Sequence, residues 1–128
     1  MIRMNMPPDY GCVLERLRVS STGKLTAGAR FEADSAWFDG HFPGRPILPG
    51  IAQLGMVTDV LHHHTAGKLR VTGFKRVRFR RVIQPGDELH ISLEMATAQN
   101  IMFQIVVSAE VACSGIILVE PINQCERL

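Results

Sequence analysis

A chain of 128 residues with a formal net charge of +2 is too short for two hydrophobic cores and too weakly basic to argue for a nucleic-acid partner. Its 46% apolar and 20% charged residues are the composition of an ordinary globular domain, so residues 1–128 read as one domain. Neither an internal repeat, a basic tail nor a low-complexity tract is present.

The amino-terminal MIRMNMPPDYG reads as a leader without the apolar run of a signal peptide, and no stretch approaches membrane-spanning length. Cys12, Cys113 and Cys125 are odd in number and lack metal-ligand spacing, which points to reduced thiols and a cytoplasmic protein without membrane attachment. Cys12 to Ser20 alternates loosely and fits either a strand or a short helix. After a turn at Ser21 to Gly23, Lys24 to Ala33 reads as a strand with Leu25, Ala27, Ala29 and Phe31 on one face.

Asp34 to Pro49 is a loop punctuated by Gly40, Pro43, Gly44, Pro46 and Pro49. From Gly50 to about Ala66 the period changes to that of a helix. Ile51, Ala52, Leu54, Met56, Val57, Val60 and Leu61 cover most of its circumference, so the helix should be largely buried. Pro49 suits its first turn and Gly67 its end. A run of antiparallel strands follows. Val71 to Ile83 should turn Val77 and Phe79 inward and Arg76, Arg78 and Arg80 outward. Gln84 to Asp87, QPGD, is a turn. Glu88 to Thr97 should bury Leu89, Ile91, Leu93 and Met95. Met102 to Cys113 and Ile116 to Pro121 should be joined by a turn near Ser114 and Gly115. One apolar helix among antiparallel strands gives an α+β layer arrangement.

The stretch GHFPGRPILPGIAQL holds one histidine, His41, in a glycine–proline frame that leads directly into the apolar helix. It resembles the HFPGxPIxPGVLxxE segment of the (3R)-hydroxyacyl-acyl-carrier-protein dehydratases of fatty-acid synthesis. FKRVRFRRVIQPGDEL, Phe74 to Leu89, is similar to that family's second hallmark, a basic strand ending in PGD. The order of elements agrees from about Val13 to Pro121. The resemblance implies a hotdog fold, a curved antiparallel sheet wrapped around the helix at about 50–66. It also implies a homodimer whose two sheets run on as one, and the family in addition forms trimers of dimers.

The implied reaction removes water from a 3-hydroxyacyl thioester without a cofactor or a metal. His41 matches the family's catalytic base, which takes the proton from C2. The Gly50 N–H matches the donor to the thioester carbonyl, at the positive end of a helix where charge develops. The family's acid, contributed across the dimer, falls at Gly55, which has no group to protonate a leaving hydroxyl. Glycine there also costs about 1 kcal/mol against alanine in a helix. Asp59 lies on the same helix face, about 6 Å farther along the axis, and is the substitute acid available. Close packing explains Gly55 equally well, and a polar contact between helices or with solvent explains Asp59.

By the same resemblance, Phe42, Ile47, Leu48, Ile51 and Leu54, with Phe79, are candidates to line an acyl channel. Arg45, Lys75, Arg76, Arg78 and Arg80, with Arg81, are candidates to dock an acidic acyl carrier protein or coenzyme A, and a solvated strand face accounts for the same charges. His62, His63 and His64 cannot converge on one ion, because consecutive helix residues point about 100° apart. Two further readings stay open. One is an accessory subunit, impaired in catalysis, that binds an acyl thioester. The other is a thioesterase using His41 and Asp59.

Overall fold

The computed structural model of the chain describes residues 2–3, 12–31 and 47–122. Seven strands and one helix follow in chain order: β1 (Ile2–Arg3), β2 (Cys12–Val19), β3 (Leu25–Phe31), α1 (Gly50–Thr65), β4 (Leu69–Phe79), β5 (Leu89–Met95), β6 (Asn100–Val107) and β7 (Glu110–Pro121). The strands form one antiparallel sheet in the order β1-β2-β3-β5-β6-β7-β4, so β4 has a neighbour on one side only among the described residues.

The Cys12 segment is therefore a strand. It carries a bulge between Glu15 and Arg18, where Arg16 takes a left-handed φ of 52°. The Arg16 guanidinium then lies across Gly28, where an added Cβ would sit 2.8 Å from its Nη2. On β3 the expected inward set, Leu25, Ala27, Ala29 and Phe31, is buried.

Alternation predicts less well on β4. Val77 is only half-buried and Phe79 is 52% exposed. The strand stops at Phe79 rather than continuing to Ile83, and its two-residue period is broken by irregularities between Val71 and Gly73 and between Lys75 and Arg78, the latter with Arg76 at φ 55°. Beyond it, the Arg80 and Arg81 N–H groups both donate to the Ala112 carbonyl, at 2.8 and 3.3 Å. The QPGD turn is present: the Asp87 N–H donates to the Gln84 carbonyl at 3.2 Å, the Asp87 carboxylate accepts the Gln84 N–H at 2.9 Å, and Gly86 has φ 85°. Leu89, Ile91 and Leu93 are buried, but Met95, at the last position of β5, is exposed.

The last hairpin turns earlier than expected. Val107 pairs with Glu110, and the two intervening residues, Ser108 and Ala109, have φ of 50° and 67°. That pair of left-handed residues matches the strand twist. Ser114 and Gly115 instead lie inside β7. Gly115 is required there by close approach, since a Cβ would meet the Phe103 ring at 2.8 Å.

Helix α1 starts after Pro49, which occupies the N-cap with ψ 151° rather than the first turn. It ends at Ala66 and Gly67, both left-handed (φ 53° and 75°), with the Gly67 N–H on the His62 carbonyl. Its buried face, Ala52, Met56, Val57, Val60 and Leu61, joins the inward residues of the sheet in one core. Against the expectation from its apolar circumference, the opposite face is uncovered: Ile51 is 72% exposed.

Candidate active site

The described part of the site is the N-terminal end of α1. The first intrahelical acceptor is the Pro49 carbonyl, reached by the N–H groups of Ala52 and Gln53 at 3.1 and 3.3 Å. The Gly50 and Ile51 N–H groups therefore precede the first helical hydrogen bond. No acidic residue occupies the first turn of the helix itself, where one would sit at the positive end of the dipole.

This end opens into a cleft of about 550 Å³ with apolar walls. One wall is Ile47 to Gly50, the other Phe79 to Val82. The second wall is held to β7 by the Arg80 N–H on the Ala112 carbonyl, and the first is tied to the segment just after the second by the Leu48 N–H on the Ile83 carbonyl, both at 2.8 Å. The Phe79 ring lies against the Gly50 α-carbon so closely that a Cβ at 50 would be 2.7 Å from it. Only glycine fits between ring and helix without displacing the ring.

Of the acyl-channel candidates, Ile47 and Leu48 line this cleft, although Leu48 is also fully part of the core. Ile51 and Leu54 point elsewhere on the helix, Ile51 into the open and Leu54 partly onto the core. Asp59 and Gly55 are half-buried on the side of α1 that the sheet does not cover. His41, Phe42 and Arg45 lie outside the described residues.

The docking candidates gather on the outer face of the sheet. Arg76, Arg78 and Arg80 line a second cleft, about 470 Å³, together with Lys24 from the far side of the sheet. Its floor follows the strand register. Arg18 is paired with Thr26, Thr26 with Ser92, Ser92 with Gln104, Gln104 with Ser114, and Ser114 with Arg78. This polar row crosses six strands, about 24 Å at about 4.8 Å per strand, with an arginine at each end. Lys75 is exposed beside it. Arg81 is held instead by the Val107 carbonyl at 3.0 Å and by Glu110 at 3.5 Å.

Burial pushes the Cys113 thiol up from 9.0 to about 11, so it is protonated at neutral pH and is no nucleophile. His62, His63 and His64 occupy the last turn of α1, and among the described residues no group of three His, Cys, Asp or Glu side chains could hold a metal.

Sequence reasoning passed over Gln53 and Lys24. Lys24 has no local signal, since it joins the β4 arginines only through the cleft they line together across the sheet. Gln53 has one: it is a lone amide inside the buried stripe Ala52, Met56, Val57, Val60.

Residues 18–116 match the family model described as ApeI-like, ApeI dehydratase. The chain is 35% identical to a 3-hydroxyacyl-(acyl-carrier-protein) dehydratase FabZ of Pelotomaculum thermopropionicum, over 73% of this chain and 74% of that one. Against the FabZ of Bacillus subtilis it is 31% identical, with 77% of each chain covered. Among solved structures it resembles the dehydratase heterocomplex ApeI:P of Xenorhabdus doucetiae, with a TM-score of 0.75 at 22% identity, covering 84% of this chain and 96% of that one. The A. caviae (R)-hydratase involved in PHA biosynthesis follows with a TM-score of 0.67 at 18% identity, over 81% and 98%. With a sheet packed on one helix and a helix end free of acid beside an apolar cleft, the chain belongs to the 3-hydroxyacyl-(acyl-carrier-protein) dehydratase family of hotdog proteins, in its ApeI-like branch.

Proposed function

We propose that the protein removes water from a 3-hydroxyacyl thioester carried on an acyl carrier protein. The observation that supports this most directly is the uncapped start of α1 facing the apolar cleft. A thioester oxygen placed at the Gly50 N–H would meet a donor already oriented, in a setting where the developing enolate charge gains most. His41 takes the C2 proton, and Asp59 of the partner subunit protonates the departing C3 hydroxyl in place of the missing acid at Gly55. Breaking the C2–H and C3–O bonds leaves the C2–C3 double bond. The hydroxyl departs as water with the proton from Asp59, and the C2 proton held by His41 returns to the carboxylate through solvent before the next turnover.

Two protomers are needed for that pair. The uncovered helix face around Ile51 and the single-sided strand β4 are the surfaces that a second copy would cover and extend. The outer-face row ending at Arg78, with Lys24, Arg76 and Arg80, is the basic surface suited to an acidic carrier protein.

The test is incubation with a 3-hydroxybutyryl carrier-protein thioester. Growth of the conjugated enoyl absorbance is expected, and it should be lost in His41→Ala and reduced at least tenfold in Asp59→Asn. Full turnover by Asp59→Asn would remove Asp59 from the reaction. Release of free thiol would identify a thioesterase. Binding with neither product would favour the accessory reading, which the glycine at position 55 supports, with the acid then supplied by a different subunit.

A further inference from the structure

Gln53 is 4% exposed, and it is the buried polar residue of the core. Its side-chain Nε2 donates to the Leu48 carbonyl at 3.3 Å, which settles which end of the amide is oxygen. The Oε1 is buried and has no hydrogen-bond partner. An orphaned buried acceptor of this kind is destabilising, and a leucine would avoid the cost. The same side chain lines the cleft at the start of α1. An unsatisfied acceptor beside the Gly50 and Ile51 N–H groups, which precede the first helical hydrogen bond, matches a ligand that carries both a carbonyl and a donor.

Helix geometry restricts which donor that is. Gln53 lies three residues after Gly50, nearly above it on the same side and about 4.5 Å along the axis. Its side chain leans back toward the helix start, as the bond to Leu48 requires. In the mechanism proposed above the C3 hydroxyl is turned toward Asp59 of the partner subunit, so it is not the group offered to Gln53. On the opposite side of the thioester carbonyl, sulfur and two methylenes lead to an amide N–H in every pantetheine-type arm. That spacing is comparable with one helical turn, about 5.4 Å.

We propose that Gln53 is a specificity residue for the pantetheine arm: its Oε1 accepts the N–H of the amide nearest the thioester while the Gly50 N–H holds the thioester carbonyl. Apolar walls from Ile47, Leu48 and Phe79 surround the intervening methylenes, and Arg80 stands at the rim toward the charged end of the arm. The inference rests on the thioester reading of the Gly50 end, and it adds the feature by which the site distinguishes a carrier-linked thioester from a simple one.

The experiment uses the S-butyryl thioester of N-acetylcysteamine, which carries this one amide and cannot lose water, and its N-methylated counterpart, which lacks the N–H. Both are titrated by NMR into the wild type and Gln53→Met. The wild type should bind the N–H compound about tenfold more tightly than the N-methyl compound, equivalent to about 1.4 kcal/mol. Gln53→Met should lose that preference and keep the weaker affinity for both. With the 3-hydroxybutyryl thioester, the variant should show a raised KM and an unchanged kcat. Gln53→Asn, which withdraws the oxygen by one methylene, serves if the methionine variant does not fold.

An equal loss on both compounds, an unchanged preference, or no binding by the wild type would each overturn the proposal. Turnover separates the two ideas. A wild type that binds with the predicted preference but forms no enoyl product refutes the dehydratase reading and leaves the role of Gln53 standing. Dehydration with no preference for the N–H compound does the reverse.

Discussion

Met56 and Ile51 lie five residues apart on one helix, yet Met56 is 0% exposed and Ile51 is 72% exposed. The sheet of the same chain covers Met56, Val57, Val60 and Leu61, while the side carrying Ile51, Gly55 and Asp59 is open or half-open. The covered side is mostly aliphatic, whereas the other side sets Ile51 among Gly55, Thr58 and Asp59. The difference separates what this chain buries by itself from what it leaves uncovered, and Asp59, the acid of the proposed mechanism, lies on the second kind of surface.

The largest expected effect tests the covered side. Met56→Ala should lower unfolding stability in urea by about 2–5 kcal/mol, because a packed core does not close over the lost volume. A loss as small as that of a surface substitution would mean that the sheet does not seal this face.

A second effect on the covered side depends on pH. Cys113 is fully buried and its thiol stays protonated up to about 11, whereas the unfolded chain begins to ionise near 9.0. The native state therefore binds more protons between those values, and stability falls as pH rises through that window by up to about 2–3 kcal/mol. Below pH 9 the contribution is fully present. Cys113→Ala should abolish the slope measured by denaturation at pH 8, 9.5 and 10.5. A slope unchanged in the variant would assign it to other groups.

The smallest effect on folding is expected at Ile51. Ile51→Ser should change the unfolding free energy of a protomer by no more than about 0.5 kcal/mol, as for other exposed positions. Sedimentation should nevertheless show the dimer dissociating at a concentration at least tenfold higher. If Ile51→Ser weakened folding as much as Met56→Ala and left association untouched, the contrast between the two faces would be wrong.

Period and punctuation made much of the fold legible. The strand with Leu25, Ala27, Ala29 and Phe31 inward, the helix from Gly50 and the QPGD turn each express a local rule, an alternation, a 3.6-residue repeat or a glycine with positive φ. The misplacements share a different cause. Ser114 and Gly115 look like a turn, but Gly115 answers to the Phe103 ring across the sheet, and the hairpin closes at Ser108 and Ala109 without glycine. Phe79 looks like an inward residue until the bulge at Arg76 turns it onto Gly50. The site follows the same division. Gly50 could be named from its motif, whereas the unpaired Gln53 oxygen and the alignment of Lys24 with the β4 arginines depend on distances between segments far apart in the chain.

Local chain physics decided the helix from Gly50, the inward face of β3 and the QPGD turn, and the resemblance of two motifs placed the chain among thioester dehydratases. Tertiary structure alone decided which side of the helix is covered, where the strands bulge, and that Phe79 and Gln53 line one cleft at the start of α1. The reason is that backbone preferences act over a few residues. Burial, close approach and an unsatisfied hydrogen bond are properties of atoms that only folding brings together.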